Sequence, residues 1–215
     1  QLVECIDFRY LTDCITPEEA LQLLTKQAEG KAERLQNLLA QGYPCYTTSA
    51  GWLGYSEEKL ARLCQEAVDE GFNYIKLKVG RNLEEDKRRV QIARDIIGPD
   101  RNLMIDANQI WERDEAIAWV KELAFAKPWF IEEPTSPDDV EAHRAIREAI
   151  KPIQVATGEM CQNRIMFKQF IMREAIDVVQ IDACRMGGVN EVLAVLLMAA
   201  KYGLKVCPHA GGVGL

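Results

Sequence analysis

The segment YIKLKVG, residues 74–80, indicates a β-strand because apolar and polar residues alternate along it. Lys76 and Lys78 fall on one face of this strand, and three apolar residues fall on the other. Similar segments recur along the chain with helical patterns between them: CYTTS, YIKLKVG, LMIDAN, WFIEEP, IQVATGE, VVQIDAC and KVCPHA. This alternation of strand and helix patterns is typical of an α/β protein built around a parallel sheet.

The helical patterns between these strands begin and end at recognisable residues. Ser56 is a suitable N-cap for the helix that follows CYTTS, and Gly71 would end that helix. The other predicted helices cover residues 82–97, 114–127, 137–150, 163–174 and 190–202. The chain from residue 43 onward therefore predicts a succession of βα units.

The segment before these units has a different pattern. LVECIDF, residues 2–8, predicts an extra strand, and Thr16 with Glu19 predicts a capping box for a helix that is interrupted at Gly30 and ends near Gly42. We therefore predict two parts. Residues 1–42 form an N-terminal strand and helical segment that packs on or leads into a barrel, and residues 43–215 form that barrel, which is a partial (β/α) barrel.

Composition narrows the class of partner. The 215 residues are 48% hydrophobic and 27% charged, with a net charge of −7. This acidic balance argues against nucleic acid and anionic membrane as partners, and no apolar run approaches the ~20 residues of a membrane span. The seven cysteines contain no CxxC pair, which favours a reducing compartment. The partner predicted by these features is a small molecule.

The two ends of the sequence suggest a piece of a longer polypeptide. The chain begins at Gln1 rather than Met and stops at Leu215, directly after a glycine-rich loop. The loop GGVGL, residues 211–215, could cradle a phosphate, but a tight glycine turn is the simpler interpretation.

One polar residue near the end of each of the last six predicted strands forms an ordered series. The residues are Lys78, Asp106, Glu132, Glu159, Asp182 and His209. The intervals between them are 28, 26, 27, 23 and 27 residues, which is about one βα unit each. In a (β/α)8 barrel the carboxyl ends of the strands meet at one mouth, where the active sites of that architecture lie. We therefore expect these side chains to be neighbours.

Three of these residues are carboxylates from successive strands. Asp106, Glu132 and Glu159 would supply the hard oxygen ligands that Mg²⁺ prefers. Like charges a few ångströms apart repel strongly in a low-dielectric site, so either one carboxylate is protonated or a cation neutralises them. The alternative for each carboxylate is a helix cap or solvent. The sequence therefore predicts a magnesium site.

Lysines and a histidine provide candidate acids and bases. Lys76 and Lys78 would face the same mouth and depress each other's pKa, so that one can act as a general base while the other holds an anion. Asp182 can fix the tautomer of His209 and raise the basicity of its second nitrogen. His143 lies in a helical pattern and is interpreted as a structural residue.

The ordered motifs resemble the enolase superfamily, and specifically its mandelate racemase-like branch. The matching motifs are KLK at 76–78, DAN at 106–108, EEP at 132–134, GE at 158–159, the Asp of QIDACRMGG and the His of CPHAGG. DFRYLTD, GYPCYTTSAGWLGYS and CPHAGGVGL are further similar to the L-fuconate dehydratases and to enolase superfamily member 1 of animals. The resemblance implies a (β/α)7β-type, TIM-like barrel, here lacking the eighth strand and the α+β capping domain.

The resemblance also implies a reaction, the Mg²⁺-dependent dehydration of an L-fuconate-like sugar acid to a 2-keto-3-deoxy acid. In that reaction Lys78 is the base, and Lys76 lies beside the substrate carboxylate. The other implied residues are the metal ligands Asp106, Glu132 and Glu159, the acid dyad Asp182 and His209, and the substrate contact Asn108.

Two alternatives stay open on the sequence. The same lysine and dyad could racemise or epimerise an α-substituted acid, or the chain could be a non-catalytic, truncated homologue. A homo-oligomer is possible. We expect an intracellular, reducing location, either cytoplasmic or, if a removed N-terminus carries a transit peptide, mitochondrial.

Overall fold

A computed structural model describes residues 2–210 of the chain. Two compact units are present. The middle unit is Cys45–Ala156, and the terminal unit consists of the described parts of Gln1–Pro44 and Thr157–Leu215. The predicted division between residues 42 and 43 stays a prediction.

The described residues form eight α-helices and seven β-strands. The helices are α1 (Pro17–Gln27), α2 (Lys31–Gln41), α3 (Glu57–Asp69), α4 (Leu83–Ile97), α5 (Arg113–Leu123), α6 (Val140–Ala149), α7 (Arg164–Met172) and α8 (Val189–Lys201). The strands are β1 (Thr47–Gly51), β2 (Tyr74–Lys78), β3 (Asn102–Asp106), β4 (Phe130–Glu132), β5 (Gln154–Thr157), β6 (Val178–Val179) and β7 (Lys205–Val206).

The middle unit is a parallel sheet with helices between its strands. Each strand from β1 to β4 pairs in parallel with the next one along the chain. The central residues of β3, β4 and β5 are apolar and fully buried, as at Met104, Ile131 and Val155. Parallel strands that are buried on both faces need such continuous apolar residues, which explains why the lysines of β2 are exceptional.

The terminal unit contains the strands β6 and β7 and the helices at both ends of the chain. The two strands pair in parallel, and the pairing extends to an isolated bridge between Asp182 and His209. Helix α8 is almost wholly apolar and buries Val195, Leu197 and Met198. Helix α1 packs on α8 and has the predicted capping box, in which Thr16 accepts from Glu19 N–H. This arrangement places Asp182 and His209 side by side.

Most of the predicted elements are confirmed, with shorter bounds. Ser56, Asn82 and Asn163 each cap the helix that was expected to follow them. The helix predicted from residue 137 begins at Val140, because the Asp139 side chain accepts from Ala142 N–H and caps it there. Wherever a strand was predicted from residue 45 onward, a parallel strand is present.

The strand predicted over residues 2–8 is wrong. Val3–Cys5 instead forms one turn of 3₁₀-helix, with hydrogen bonds between residues three apart. The apolar residues of LVECIDF therefore do not alternate across a sheet. The loop GGVGL lies outside the described residues. Within residues 2–210, no helix combines the length and apolar character needed to cross a bilayer.

Candidate active site

The register of the middle sheet aligns the predicted site residues of three strands. Lys78 is the partner of Asp106 across β2 and β3, and Asp106 is the partner of Glu132 across β3 and β4. All three residues are the last of their strands. The carboxyl ends of these parallel strands therefore bring one lysine and two carboxylates to the same edge, as the spacing predicted.

The lysines of β2 form ion pairs with these carboxylates. Lys76 Nζ lies 3.2 Å from Asp106 Oδ2 and also contacts Glu132 Oε2. Lys78 Nζ lies 2.5 Å from the same Asp106 oxygen. Asp106 and Glu132 are fully buried, and Lys76 is 3% exposed. The two lysines thus face one way because two buried carboxylates on the next strands neutralise them.

The electrostatic surroundings of Lys76 differ from the sequence prediction. Burial acts to lower the pKa of Lys76, but the nearby carboxylates of Glu132 and Asp106 outweigh it and raise the pKa. The mutual lowering of the pKa expected from Lys78 is therefore not what determines the pKa of Lys76, since the two carboxylates beside it have the larger effect. Lys76 is therefore a stable ammonium group, which suits the role of holding an anion.

Asp106 keeps its negative charge despite its burial. Burial acts to raise the pKa of this carboxyl, whereas Lys76, Lys78 and the Asn108 backbone N–H together lower it below its ordinary value. The Asn108 N–H donates to Asp106 Oδ1 over 3.0 Å, which fixes the orientation of the carboxylate. Asp106 is therefore an ionised carboxylate whose orientation is fixed.

The donor set of the middle unit fits a hard divalent cation. Asp106 and Glu132 present buried oxygens that converge on the ammonium group of Lys76, and Mg²⁺ prefers carboxylate oxygens. Glu159, the third predicted ligand, belongs to the terminal unit. Among residues 2–210, no group of three or more His, Cys, Asp and Glu side chains is arranged to hold a metal ion. The magnesium site thus stays a prediction.

The terminal unit forms the predicted dyad. His209 Nδ1 lies 2.8 Å from Asp182 Oδ2, and the Cys184 N–H donates to Asp182 Oδ1 over 2.7 Å. Burial acts to raise the pKa of Asp182, but the hydrogen bonds from His209 and Cys184 outweigh it and lower the pKa. His209 Nε2 lies 3.3 Å from Glu159 Oε2. The imidazole ring is therefore held on one side by Asp182 and faces a second carboxylate on the other.

Asn108, the predicted substrate contact, lies on the loop after β3. It is exposed and has φ 45°, and Gln109 beside it has φ 68°. This region of backbone conformation is uncommon for residues other than glycine and occurs often at functional sites. The contact between Asn108 and a substrate stays a prediction.

Sequence reasoning missed several side chains around these groups. Glu133 is fully buried with φ 43°, and both its oxygens accept from Gln109 Nε2 at 2.9 Å. The ring of Tyr46 lies 5.0 Å from Lys76 Nζ, and that of Trp52 lies 5.8 Å from Lys78 Nζ. The second Glu of EEP and the aromatic residues flanking β1 were the available signals.

These observations define a class of protein, namely an α/β domain whose parallel strands end in lysines, carboxylates and a histidine–aspartate dyad. Residues 59–215 match the family model described as enolase C-terminal domain-like. The chain belongs to the enolase superfamily. The predicted α/β fold of the TIM-like barrel type is thereby confirmed.

Individual relatives support the same assignment. The chain is 61% identical to L-galactonate dehydratase of Hypocrea jecorina, over 100% of this chain and 49% of that protein. The crystal structure of human mitochondrial enolase superfamily member 1 matches with a TM-score of 0.96 and 56% sequence identity. The match covers 100% of this chain and 49% of the human chain. L-talarate dehydratase of Polaromonas sp. JS666, complexed with Mg and L-glucarate, is 32% identical with a TM-score of 0.73, over 78% of this chain and 47% of its own. The chain spans about half the length of these relatives.

Proposed function

We propose that the protein is a Mg²⁺-dependent hydro-lyase that converts a sugar acid to a 2-keto-3-deoxy acid. The observation that carries the proposal is the alignment of Lys78, Asp106 and Glu132 at the ends of adjacent strands. Abstraction of a proton α to a carboxylate requires a base and a cation that stabilises the additional negative charge. Lys78 would be the base, and the neighbouring carboxylates are suited to hold such a cation. The names of the relatives support the same chemistry.

Each residue has a proposed role in this reaction. Asp106, Glu132 and Glu159 would hold the Mg²⁺, which when bound supplies Lewis-acid stabilisation of negative charge. Lys78 takes the proton from C2, and the Lys76 ammonium pairs with the substrate carboxylate.

The dyad completes the elimination. His209 gives a proton to the 3-hydroxyl group, so that the C3–O bond breaks and water leaves as a carbon–carbon double bond forms between C2 and C3. The resulting enol becomes the 2-keto acid by proton transfer to C3. Asp182 orients the imidazole through its Nδ1, which leaves Nε2 available for the proton transfer.

The substrate we propose is an aldonate of the L-galacto configuration. L-fuconate was indicated by the sequence motifs, and a relative 61% identical to the chain is named for L-galactonate. These two acids share their configuration from C2 to C5 and differ only by the hydroxyl group at C6. A site that contacts the substrate at C2 and C3 would accept both acids, and contacts at C6 would determine which acid is preferred.

The test is turnover by the intact protein. We expect L-fuconate or L-galactonate with Mg²⁺ to give a 2-keto product that semicarbazide traps, and we expect no product after removal of the metal with a chelator. Exchange of the C2 proton in heavy water without loss of water would instead indicate a racemase or epimerase. Absence of turnover, exchange and Mg²⁺ binding would favour the non-catalytic alternative.

Magnesium binding itself gives a second prediction. Asp106→Asn removes a charged ligand, so we expect Mg²⁺ affinity measured by calorimetry to fall more than about 10²-fold, since loss of outer partners alone costs about 10–100-fold. Asp95→Asn, an exposed change on α4, is the matched control and should leave the affinity unchanged. Equal affinities of the wild type and Asp106→Asn would contradict the ligand assignment.

The remaining proposals concern location and assembly. All seven cysteines are free, which supports a reducing intracellular location, either cytoplasmic or mitochondrial. A relative in Xenopus laevis is named as mitochondrial. We also propose that the partner is a small sugar acid and that the protein forms a homo-oligomer.

A further inference from the structure

Helix α4 buries an acid and a base that the proposed reaction does not use. Asp86 and Arg89 are each 1% exposed, whereas Glu84 and Arg88 on the same helix are exposed to solvent. Burying an ion costs several kcal/mol unless its partners compensate for the lost water. Apolar residues at these two positions would pack the helix at no such cost, so the contacts of the pair are informative.

Arg89 binds the main chain at the ends of two strands. Its NH1 group donates to Lys78 O over 2.7 Å, and its NH2 group donates to Gly51 O over 2.9 Å and to Trp52 O over 3.2 Å. Lys78 is the last residue of β2, and Gly51 is the last residue of β1. One guanidinium group therefore links the carboxyl ends of both strands.

The approach of these two strands depends on Gly51. A Cβ atom at this position would lie 2.5 Å from Leu77 Cα and from Lys76 O. Such a contact is too short for any side chain. The absence of a side chain at Gly51 lets β1 lie directly against β2, within reach of Arg89.

Asp86 binds the main chain two residues after Lys78, at Gly80. Its Oδ2 accepts from the Gly80 N–H over 2.6 Å and from Trp119 Nε1 over 3.1 Å, and its Oδ1 lies 3.5 Å from Arg89 NH1. Gly80 has φ 109°, where a Cβ would lie 2.6 Å from a side-chain carbon of Ile110. The main chain is therefore bound by one buried ion pair at the carbonyl of Lys78 and at the N–H of Gly80, two residues further along.

We infer that Asp86 and Arg89 are positioning residues that fix the Lys78 amine for proton abstraction, an inference that rests on the proposed role of Lys78. A lysine side chain has four rotatable bonds, so the direction of its amine depends on a fixed main chain. A displacement of about 1 Å at a reacting group can cost about 10²-fold in rate. Arg89 binds the carbonyl group of Lys78 itself, and Asp86 binds the N–H of Gly80 close by, so the pair fixes the main chain from which this side chain projects.

The test compares Arg89→Met with Arg94→Met in the intact protein. Arg94, also on α4, donates to the four main-chain oxygens of Ala126, Gly98, Arg101 and Lys127, at the opposite end of the helix from Lys78. Both changes remove a guanidinium group that binds several carbonyl groups. Both should therefore lower the melting temperature, but only Arg89→Met alters the surroundings of Lys78.

We expect Arg89→Met to lower kcat per folded molecule by about 10–10²-fold with little change in KM. We also expect a larger primary isotope effect with substrate deuterated at C2, because proton abstraction becomes slower relative to the other steps. Arg94→Met should keep the wild-type kcat and isotope effect. A loss of folded protein alone would reduce the apparent kcat without changing the isotope effect.

A milder variant covers the case in which Arg89→Met does not fold. Trp119→Phe removes one donor to Asp86 on a partly exposed side chain and should raise the isotope effect with a severalfold lower kcat. A wild-type kcat and isotope effect in Arg89→Met, or in Trp119→Phe if the first variant does not fold, would overturn the inference alone. An inactive wild type would overturn the proposed function and this inference with it.

Discussion

Replacing Lys78 by alanine is expected to lower kcat by about 10²–10⁴-fold, the range typical for loss of a general base. The alanine side chain cannot accept the C2 proton, and Lys76 cannot substitute because two carboxylates hold it as an ammonium group. Both dehydration and exchange of the C2 proton with heavy water should be lost together. Proton NMR in heavy water measures the two processes in one sample.

The control for this change is Lys87→Ala on helix α4. Lys87 pairs with Glu84 and Glu122 at the surface of the middle unit, so its removal should leave both processes at wild-type rates. Wild-type rates of C2 exchange in Lys78→Ala would reject Lys78 as the base. Folding of the variant is checked by circular dichroism.

Changing His209 to asparagine is expected to separate the two processes that Lys78→Ala removes together. Without the imidazole, the 3-hydroxyl group leaves without general-acid assistance, and dehydration should fall by about 10²–10⁴-fold. Lys78 is unchanged, so exchange of the C2 proton should continue. The ratio of exchange to dehydration should therefore rise steeply, and NMR in heavy water measures this ratio directly.

The only other histidine of the sequence provides the comparison. His143 is fully buried on α6, with its Nδ1 2.9 Å from Asp139 O, and burial lowers its pKa. His143→Gln should reduce the melting temperature and leave the ratio of exchange to dehydration unchanged. Full retention of dehydration in His209→Asn would assign the acid to another group, and loss of exchange would indicate that His209 takes part in removal of the C2 proton.

The fold was largely predictable because the residues that begin and end its helices are local sequence signals. Ser56, Asn82 and Asn163 cap helices through side-chain oxygens that accept neighbouring N–H groups, and a cap of this kind is readable from sequence. The N-terminal segment was not predictable in the same way. Ile6 is buried there, but a few apolar residues fit a single 3₁₀ turn as well as a strand.

The alignment of the strand ends was predictable, but the electrostatics there were less so. The regular spacing of strand ends brought Asp106, Glu132 and Lys78 together as expected. The pKa of Lys76 was expected to fall because sequence shows the second lysine, two residues away, but not the distance to carboxylates on other strands. Only the sheet register reveals that those carboxylates contact the ammonium group.

The positioning pair could not have been found from sequence. Asp86 and Arg89 stand in LEEDKRRV, a charged helical stretch that is typical of a solvated face. Their partners are peptide groups of Lys78, Gly80 and Gly51, which any residue type can offer. Since the backbone carries no sequence signal, the burial of these two side chains becomes apparent only in three dimensions.

The cluster of two lysines and two carboxylates at the strand ends of the middle unit has one further consequence. The formal charges of Lys76 and Lys78 balance those of Asp106 and Glu132, so this cluster is electroneutral by itself. We expect the polypeptide to fold before any divalent ion arrives, with the lysines serving as internal counterions. Asp106 and Glu132, two of the residues proposed to hold Mg²⁺, would thus already have their charges balanced by lysines without the ion.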